Sequence, residues 1–581
     1  MREIKGYFVK IGALLRGPRT WGALLGLVFV VGFWARFFQM TGHFAHTDDL
    51  GMVEQLFRGQ AEGNIFFVPQ YLTNAPLQYL LTFFLVSPSM EYLDILFWGR
   101  LPSCVAGCLA LVTLFFFYRE YDKTAAAKAF FALALVACSW ENIAFAKQMH
   151  SYAIGVLAAA IVLLLFVRQL RETTFPLKQA ALVAGGLALA SHMQYQALLF
   201  IPAFYVALFL HLLGAPQKTG GLRGWLMSGV LYLLLVFPMW YFFLRHQFGG
   251  FAVNTQWALG ASGQYGLDPA LFRDLGANGL TILKFYLKNL FVIFEAKTGF
   301  FPQAAPFFKA FSIGLFSLFL FGTVNFFMSS DKKHRFLGLF FGLVLLTWWI
   351  MVPLKQLPYG PSRHTLILLP FFAVTVAEGA EGISGVLRRW RRREIPAIWQ
   401  QRVLIGLGLL VILLFLAYYG TFLKERKNPL VEEEICRTLE AYDIDEVFYD
   451  ARGFHLEYMK GFGRLYQKIK QKRIKEVATF AFITRYPFPS IKDRCEAYQH
   501  AYNIVALRDY MPRSGDPEPV LIRRPCSDFH VVYEKRVESD VTETFSRDIK
   551  INILTNRLFF YILSVDPEKK AIAQTPQGSH T

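Results

Sequence analysis

Asp48 and Asp49 follow the first strongly apolar segment of the chain, in His46-Thr47-Asp48-Asp49. Two adjacent carboxylates at a membrane surface can share one proton or hold a metal ion, because desolvation and mutual repulsion make it costly to ionise both. Residues 47–59 read as a short amphipathic helix capped by Thr47 and stopped at Gly59, and acids in a first helical turn also favour the positive end of the helix dipole without doing chemistry. Further reactive side chains recur downstream. Asn74-Ala75-Pro76-Leu77-Gln78-Tyr79-Leu80 is a turn entering an apolar helix, with Pro76 suited to its first turn. Ala146-Lys147-Gln148-Met149-His150-Ser151-Tyr152 is a polar insertion between apolar runs, His192 closes another run, and Tyr359-Gly360-Pro361-Ser362-Arg363-His364-Thr365 opens a late one beside Lys355. Carboxylates, cations and imidazoles in these places suit proton transfer next to an anion-binding group.

The elements that must position these residues are membrane spans. Of 581 residues, 54% are hydrophobic and only 18% charged, with 59 Phe, 26 Tyr and 11 Trp, and apolar runs of span length recur over the first 420 positions. The run at 21–40 follows Arg2, Lys5, Lys10, Arg16 and Arg19 and is too long for a signal-peptide core, so it reads as an uncleaved first span. Further spans are expected near 95–118, 129–146, 151–167, 179–191, 196–213, 225–244, 306–328, 336–352, 364–386 and 403–422. Eleven spans place the two ends of the chain on opposite sides. Arg119/Lys123/Lys128, Arg168/Arg171/Lys178, Lys218/Arg223, Lys332/Lys333/Arg335 and the arginines from Arg388 to Arg393 then all fall on the N-terminal side. The net charge of +18 is thereby explained by orientation, with no basic stripe calling for nucleic acid. Outer loops are expected at about 41–94 and 245–305, with the apolar stretches 64–86 and 280–301 as re-entrant or interfacial helices. The fold class is a polytopic α-helical membrane protein of about 11 spans, comprising residues 1–422, followed by a soluble α/β domain over 423–581. That last part contains strand-like runs at 446–449 and 529–533 and a basic run at 468–475 that reads as a solvated helix face. Cys436, Cys495 and Cys526 lie there and allow one disulfide in an oxidising compartment, while Cys104, Cys108 and Cys138 lie in or beside apolar spans; no spacing marks a metal site.

Over residues 20–390 the chain resembles the GT-C superfamily of integral-membrane glycosyltransferases, in the branch of protein O-mannosyltransferases and lipid A aminoarabinose transferases. The resemblance rests on five elements in order and on one side: Asp48-Asp49, Ala75-Pro76-Leu77-Gln78-Tyr79, Gln148-Met149-His150-Ser151-Tyr152, His192-Met193 and Arg363-His364. The chain departs from the family pattern in three places: Asp49 replaces a Glu, His150 stands where an Arg is expected, and His364 replaces an aromatic residue. Lys147 supplies a positive charge beside the second departure. The resemblance implies transfer of a sugar from a polyprenyl-phosphate donor to a lipid, glycan or protein acceptor at the outer membrane face. It implies Asp48 as general base with Asp49 beside it; Arg363, Lys147 and His364 at the donor phosphate; and His192, His150, Gln148, Tyr152 and Tyr79 at the substrates. A divalent metal is left open, since Asp48 and Asp49 offer hard oxygen ligands but spacing reveals no third. The implied location is a bacterial inner or plasma membrane, with the N-terminus cytoplasmic and the C-terminal domain extracytoplasmic.

Two other classes fit part of the same pattern. A transporter or flippase for a lipid-linked saccharide would also carry polar residues among its spans, but it needs access from both sides, and the polar residues here cluster on one. A membrane-anchored binding protein would place the work in the C-terminal domain, where no catalytic constellation is evident.

Overall fold

The computed structural model describes residues 18–38, 76–90, 92–122, 126–172, 175–214, 218–245, 269–299, 306–354, 363–391 and 397–425, with short stretches between 40 and 65 and between 357 and 360, and four strands further on. Asp48, Asp49, Ala75, Lys355 and the three C-terminal cysteines lie outside the described residues.

Among the described residues the membrane part consists of fourteen helices. They are α1 (Pro18–Phe37), α2 (Pro76–Leu85), α3 (Tyr92–Tyr121), α4 (Ala126–Cys138), α5 (Trp140–Ala146), α6 (Tyr152–Arg171), α7 (Leu177–Met193), α8 (Phe200–Leu213), α9 (Lys218–Met239), α10 (Leu275–Thr298), α11 (Pro306–Met328), α12 (Lys332–Met351), α13 (Leu369–Arg391) and α14 (Ala397–Glu425). Short 3-10 turns at Tyr195–Leu199 and Arg363–Leu368 lead into α8 and α13. Nine helical segments are long and apolar enough to cross a membrane, or ten if the bent pair α4–α5 is one span. The chain is an integral membrane protein.

The expected spans map onto these segments with instructive differences. The stretch at 179–191 forms α7, whose 17 residues fall just short of a full crossing. The stretch at 64–86 contains the ten-residue α2, and 280–301 becomes the 24-residue α10, in which Lys284, Lys288, Glu295 and Lys297 lower the hydropathy below that of a span.

The stretch expected as the third span is broken at Ser139, where α4 and α5 meet at a bend of 57°. Ser139 leaves helical geometry and caps α5 by accepting from the Asn142 amide. Carbonyls freed at such a break need donors wherever water is scarce. Arg36, fully buried on α1, donates to the carbonyl oxygens of Ala137 and Val136 at 3.2 Å each, and the Asn142 side chain reaches Val136 O at 3.1 Å. An arginine in the first span thus serves the break in the third. A second irregularity follows Pro238 in α9, where the helix widens into a π turn over Trp240–Leu244, consistent with the hydrogen bond that proline removes.

Helix packing is closest where glycine replaces side chain. A Cβ at Gly322 on α11 would lie 1.9 Å from the carbonyl oxygen of Thr375 on α13, and one at Gly379 would lie 1.8 Å from that of Leu318. The backbones of α11 and α13 therefore touch directly, as small residues permit in membrane bundles.

Beyond α14 the described residues form one four-stranded sheet in the order β1-β2-β4-β3, from β1 (Glu446–Tyr449), β2 (Thr479–Thr484), β3 (His530–Glu538) and β4 (Arg557–Ser564). β1 pairs with β2 in parallel, the other two pairs are antiparallel, and β3 carries an irregularity between Val531 and Tyr533. The parallel pair requires a crossover connection, which is the architecture expected of an α/β domain. The segments that would supply its helices lie outside the described residues.

Candidate active site

Bending the third span at Ser139 lets α5 and the turn after it, residues 147–151, fold in against α3 and α6. This turn is held from three directions. Ser103 Oγ on α3 donates to the carbonyl of His150 at 2.8 Å and lies 3.5 Å from Gln78 Oε1 on α2, which ties in the helix that carries Tyr79. Gly99 has no Cβ where Met149 packs: one built there would meet the Met149 side chain at 2.6 Å. Ser151 Oγ donates to Gln194 Oε1 at 2.9 Å, linking the turn to the 3-10 helix before α8.

Tyr152 is the centre of the resulting cluster. The His150 ring stacks on it with centroids 4.8 Å apart, the His364 ring meets it edge-on at 5.7 Å, and the Arg363 guanidinium lies 5.4 Å from its centre. A cation over an aromatic face is attracted by the ring quadrupole, so Tyr152 helps hold Arg363 where it is. The Gln196 side-chain amide lies 2.8 Å from His364 Nδ1, an acceptor position that leaves the ring's Nε2–H pointing elsewhere. Nearby, Tyr359 is fully buried against Phe285, Tyr286 and Trp349, and this burial pushes its phenol above the ordinary range, so it is a neutral donor at physiological pH.

Other expected residues stand differently. Lys147 is buried, and its ammonium donates to the Phe38 carbonyl at 2.8 Å and to Tyr419 Oη at 2.9 Å, which anchors the end of α1. Arg100 acts alongside by donating to Met40 O at 2.8 Å. Gln148 is buried in the same turn, and Tyr79 is buried on α2 against Phe83. His192 is half-buried at the end of α7 with Nδ1 2.8 Å from the Ala188 carbonyl of its own helix, and no described contact joins it to the Tyr152 cluster.

Three residues were missed from sequence: Arg36, Glu141 and Lys297. Glu141 and Lys297 form a buried ion pair joining α5 to the end of α10, where Lys297, Arg363 and His150 all bear electrostatically on His364. A carboxylate within an apolar span and a lysine closing an apolar helix are themselves the signal that was available.

A small apolar groove lies between α11, α12 and α13. Phe319, Phe326, Phe341 and Phe371 line it, together with Leu368, the last residue of the 3-10 helix that begins at Arg363.

No family model matches the chain, and no curated protein sequence matches it. Among solved structures the chain is similar to ArnT from Cupriavidus metallidurans bound to undecaprenyl phosphate, at 9% identity over 95% of this chain and 99% of that one, with a TM-score of 0.45. It is also similar to an Archaeoglobus fulgidus oligosaccharyltransferase tethered with an acceptor peptide, at 13% identity over 84% of this chain and 71% of that one, TM-score 0.41. A third is the archaeal oligosaccharyltransferase AglB from the same organism in complex with an inhibitory peptide and a dolichol-phosphate, at 11% identity over 83% and 71%, TM-score 0.40.

Proposed function

We propose that this protein is an integral-membrane glycosyltransferase of the GT-C superfamily, transferring a sugar from a polyprenyl-phosphate donor to a lipid, glycan or protein acceptor at the extracytoplasmic face. The observation that carries the reading is the grouping of His150, Tyr152, Arg363 and His364, drawn from two of the five sequence elements that run in family order, around a single aromatic ring. In this reading residues 1–422 are the catalytic membrane domain and 423–581 an extracytoplasmic domain.

The chemistry assigns roles by charge. An acceptor hydroxyl must lose its proton as it attacks the anomeric carbon, and Asp48 takes that proton while Asp49 tunes it or joins it in holding a divalent ion. Negative charge grows on the leaving phosphate, and Arg363 stabilises it with a forked pair of donors in a site poor in water. Gln148, Tyr152 and Tyr79 offer polar or aromatic surface to sugar and lipid, with His150 and His364 completing the wall. The phenylalanine-lined groove between α11, α12 and α13 is apolar enough for an isoprenoid tail.

The deciding experiment measures consumption of radiolabelled polyprenyl-phosphate sugars by membranes carrying the wild type or Asp48→Asn, each with and without chelator. Loss of a general base is expected to slow transfer by about 100-fold or more while insertion and folding persist. Transfer surviving nearly intact removes Asp48 from the role. A folded wild type that consumes no donor shifts the assignment to a transporter of lipid-linked saccharide.

A further inference from the structure

Lys297 carries a buried charge with hydrogen-bonding capacity left over. An ammonium has three N–H donors. At Lys297, which has no exposed surface, one goes to Glu141, and no other described group takes the remaining two. Lys147, the other buried lysine at this end, is by contrast already bonded to Phe38 O and Tyr419 Oη. Buried charged donors are ordinarily fully paired, so the spare pair of N–H groups points to a ligand oxygen.

The position of Lys297 is set by three ties. Ser139 Oγ donates to the Lys297 carbonyl at 2.7 Å, the Trp140 amide approaches Gly299 O at 3.4 Å, and Glu141 holds the ammonium. Its helix α10 packs against both α5 and the 3-10 helix 363–368, and the Lys297 charge bears on His364 together with those of Arg363 and His150.

We infer that Lys297 is the second cation of the donor-phosphate site, with Glu141 as the residue that positions it; this rests on the glycosyl-transfer reading above. Glu141 compensates the ammonium when no anion is present, which makes a fully buried charge tolerable. Two N–H groups remain for phosphate oxygens as charge builds on the leaving group.

The test compares binding of undecaprenyl phosphate and undecaprenol to the full-length protein in detergent. Wild type is expected to prefer the phosphate. Lys297→Met should cut that preference by roughly ten- to a hundredfold, the worth of a charge-assisted hydrogen bond, while Lys297→Arg keeps most of it. Glu141→Gln should fall between, because the ammonium is retained but loses its fixed direction. Since Lys297→Met leaves Glu141 buried without a partner, the double variant Glu141→Gln/Lys297→Met supplies the same reading in a protein with neither charge. If both variants keep the full preference while Arg363→Ala loses it, Lys297 is a structural strut and the inference is overturned, with the donor reading intact. If wild type shows no preference for the phosphate, the donor reading fails and the inference fails with it.

Discussion

Arg363 and Lys147 are both cations expected at the donor phosphate, yet their surroundings differ. The ammonium of Lys147 donates to a main-chain carbonyl and a phenol, which ties it to the end of α1, from which the chain runs on toward Asp48. Arg363 lies over the Tyr152 ring at the head of α13, and its planar fork matches phosphate geometry in a way a lysine cannot. Arg363→Ala is therefore expected to lower donor turnover by about 100-fold or more, as removal of one preorganised donor does elsewhere, and Arg363→Lys by distinctly less. Kinetics with a polyprenyl-phosphate sugar would show it; equal and small effects of the two changes would mark Arg363 as a cation that only orients its span.

At the scale of elements, function depends on a helix that is broken and on helices that touch. The break at Ser139 bends α5 by 57° from α4, which leads the chain into the turn before Tyr152, and Arg36 satisfies the carbonyls the break sets free. The direct contact of α11 with α13 sets where the Arg363 turn stands, because that turn runs straight into α13. Gly322→Ala and Gly379→Ala each put a methyl group against a main-chain carbonyl and are expected to cost about 1–3 kcal/mol through forced separation of the helices. The measurement is the unfolding midpoint in detergent; a midpoint equal to wild type for both would refute the close approach.

For the whole molecule, buried charge is given partners at both ends of the bundle. At the end where α3 finishes and α4 begins, cations are matched by carboxylates: Lys128 contacts Asp122 at 3.4 Å, Glu378 at 3.1 Å and Glu381 at 2.7 Å, and Arg171 meets Glu120 at 2.7 Å. At the opposite end, Arg100 and Lys147 donate to carbonyls and Arg363 faces a ring. The Lys297–Glu141 pair stands at this second end as well, so carboxylates answer buried cations at both. The proposed orientation takes its direction from the lysine and arginine distribution, and it requires both the bent pair α4–α5 and the short α7 to cross. Alkaline phosphatase fused after Glu425 is accordingly expected to be active, and a fluorescent protein that folds only in the cytoplasm to be dark at the same position. The reverse pattern would invert the topology and move the proposed site to the cytoplasmic face.

Much of this was legible in the chain itself. Apolar runs of span length announce membrane helices because an unpaired backbone cannot cross a bilayer, and basic clusters announce their direction. The family resemblance named Arg363 and His364 at the donor phosphate and His150 and Tyr152 at the substrates, as two sets; that these four side chains meet around one ring is something the sequence did not say. Folding decided the rest. Whether Lys147 meets a ligand or a carbonyl depends on where Phe38 and Tyr419 come to lie, more than a hundred residues away on either side. His192 turned to its own helix, since Ala188 offers a carbonyl one turn back. Glu141 and Lys297 are separated by 156 positions and carry no motif, so only packing could reveal them as partners. Periodicity and charge are local properties and survive in a linear string, whereas the partner of a buried charge is chosen by distances that exist only after the helices have assembled.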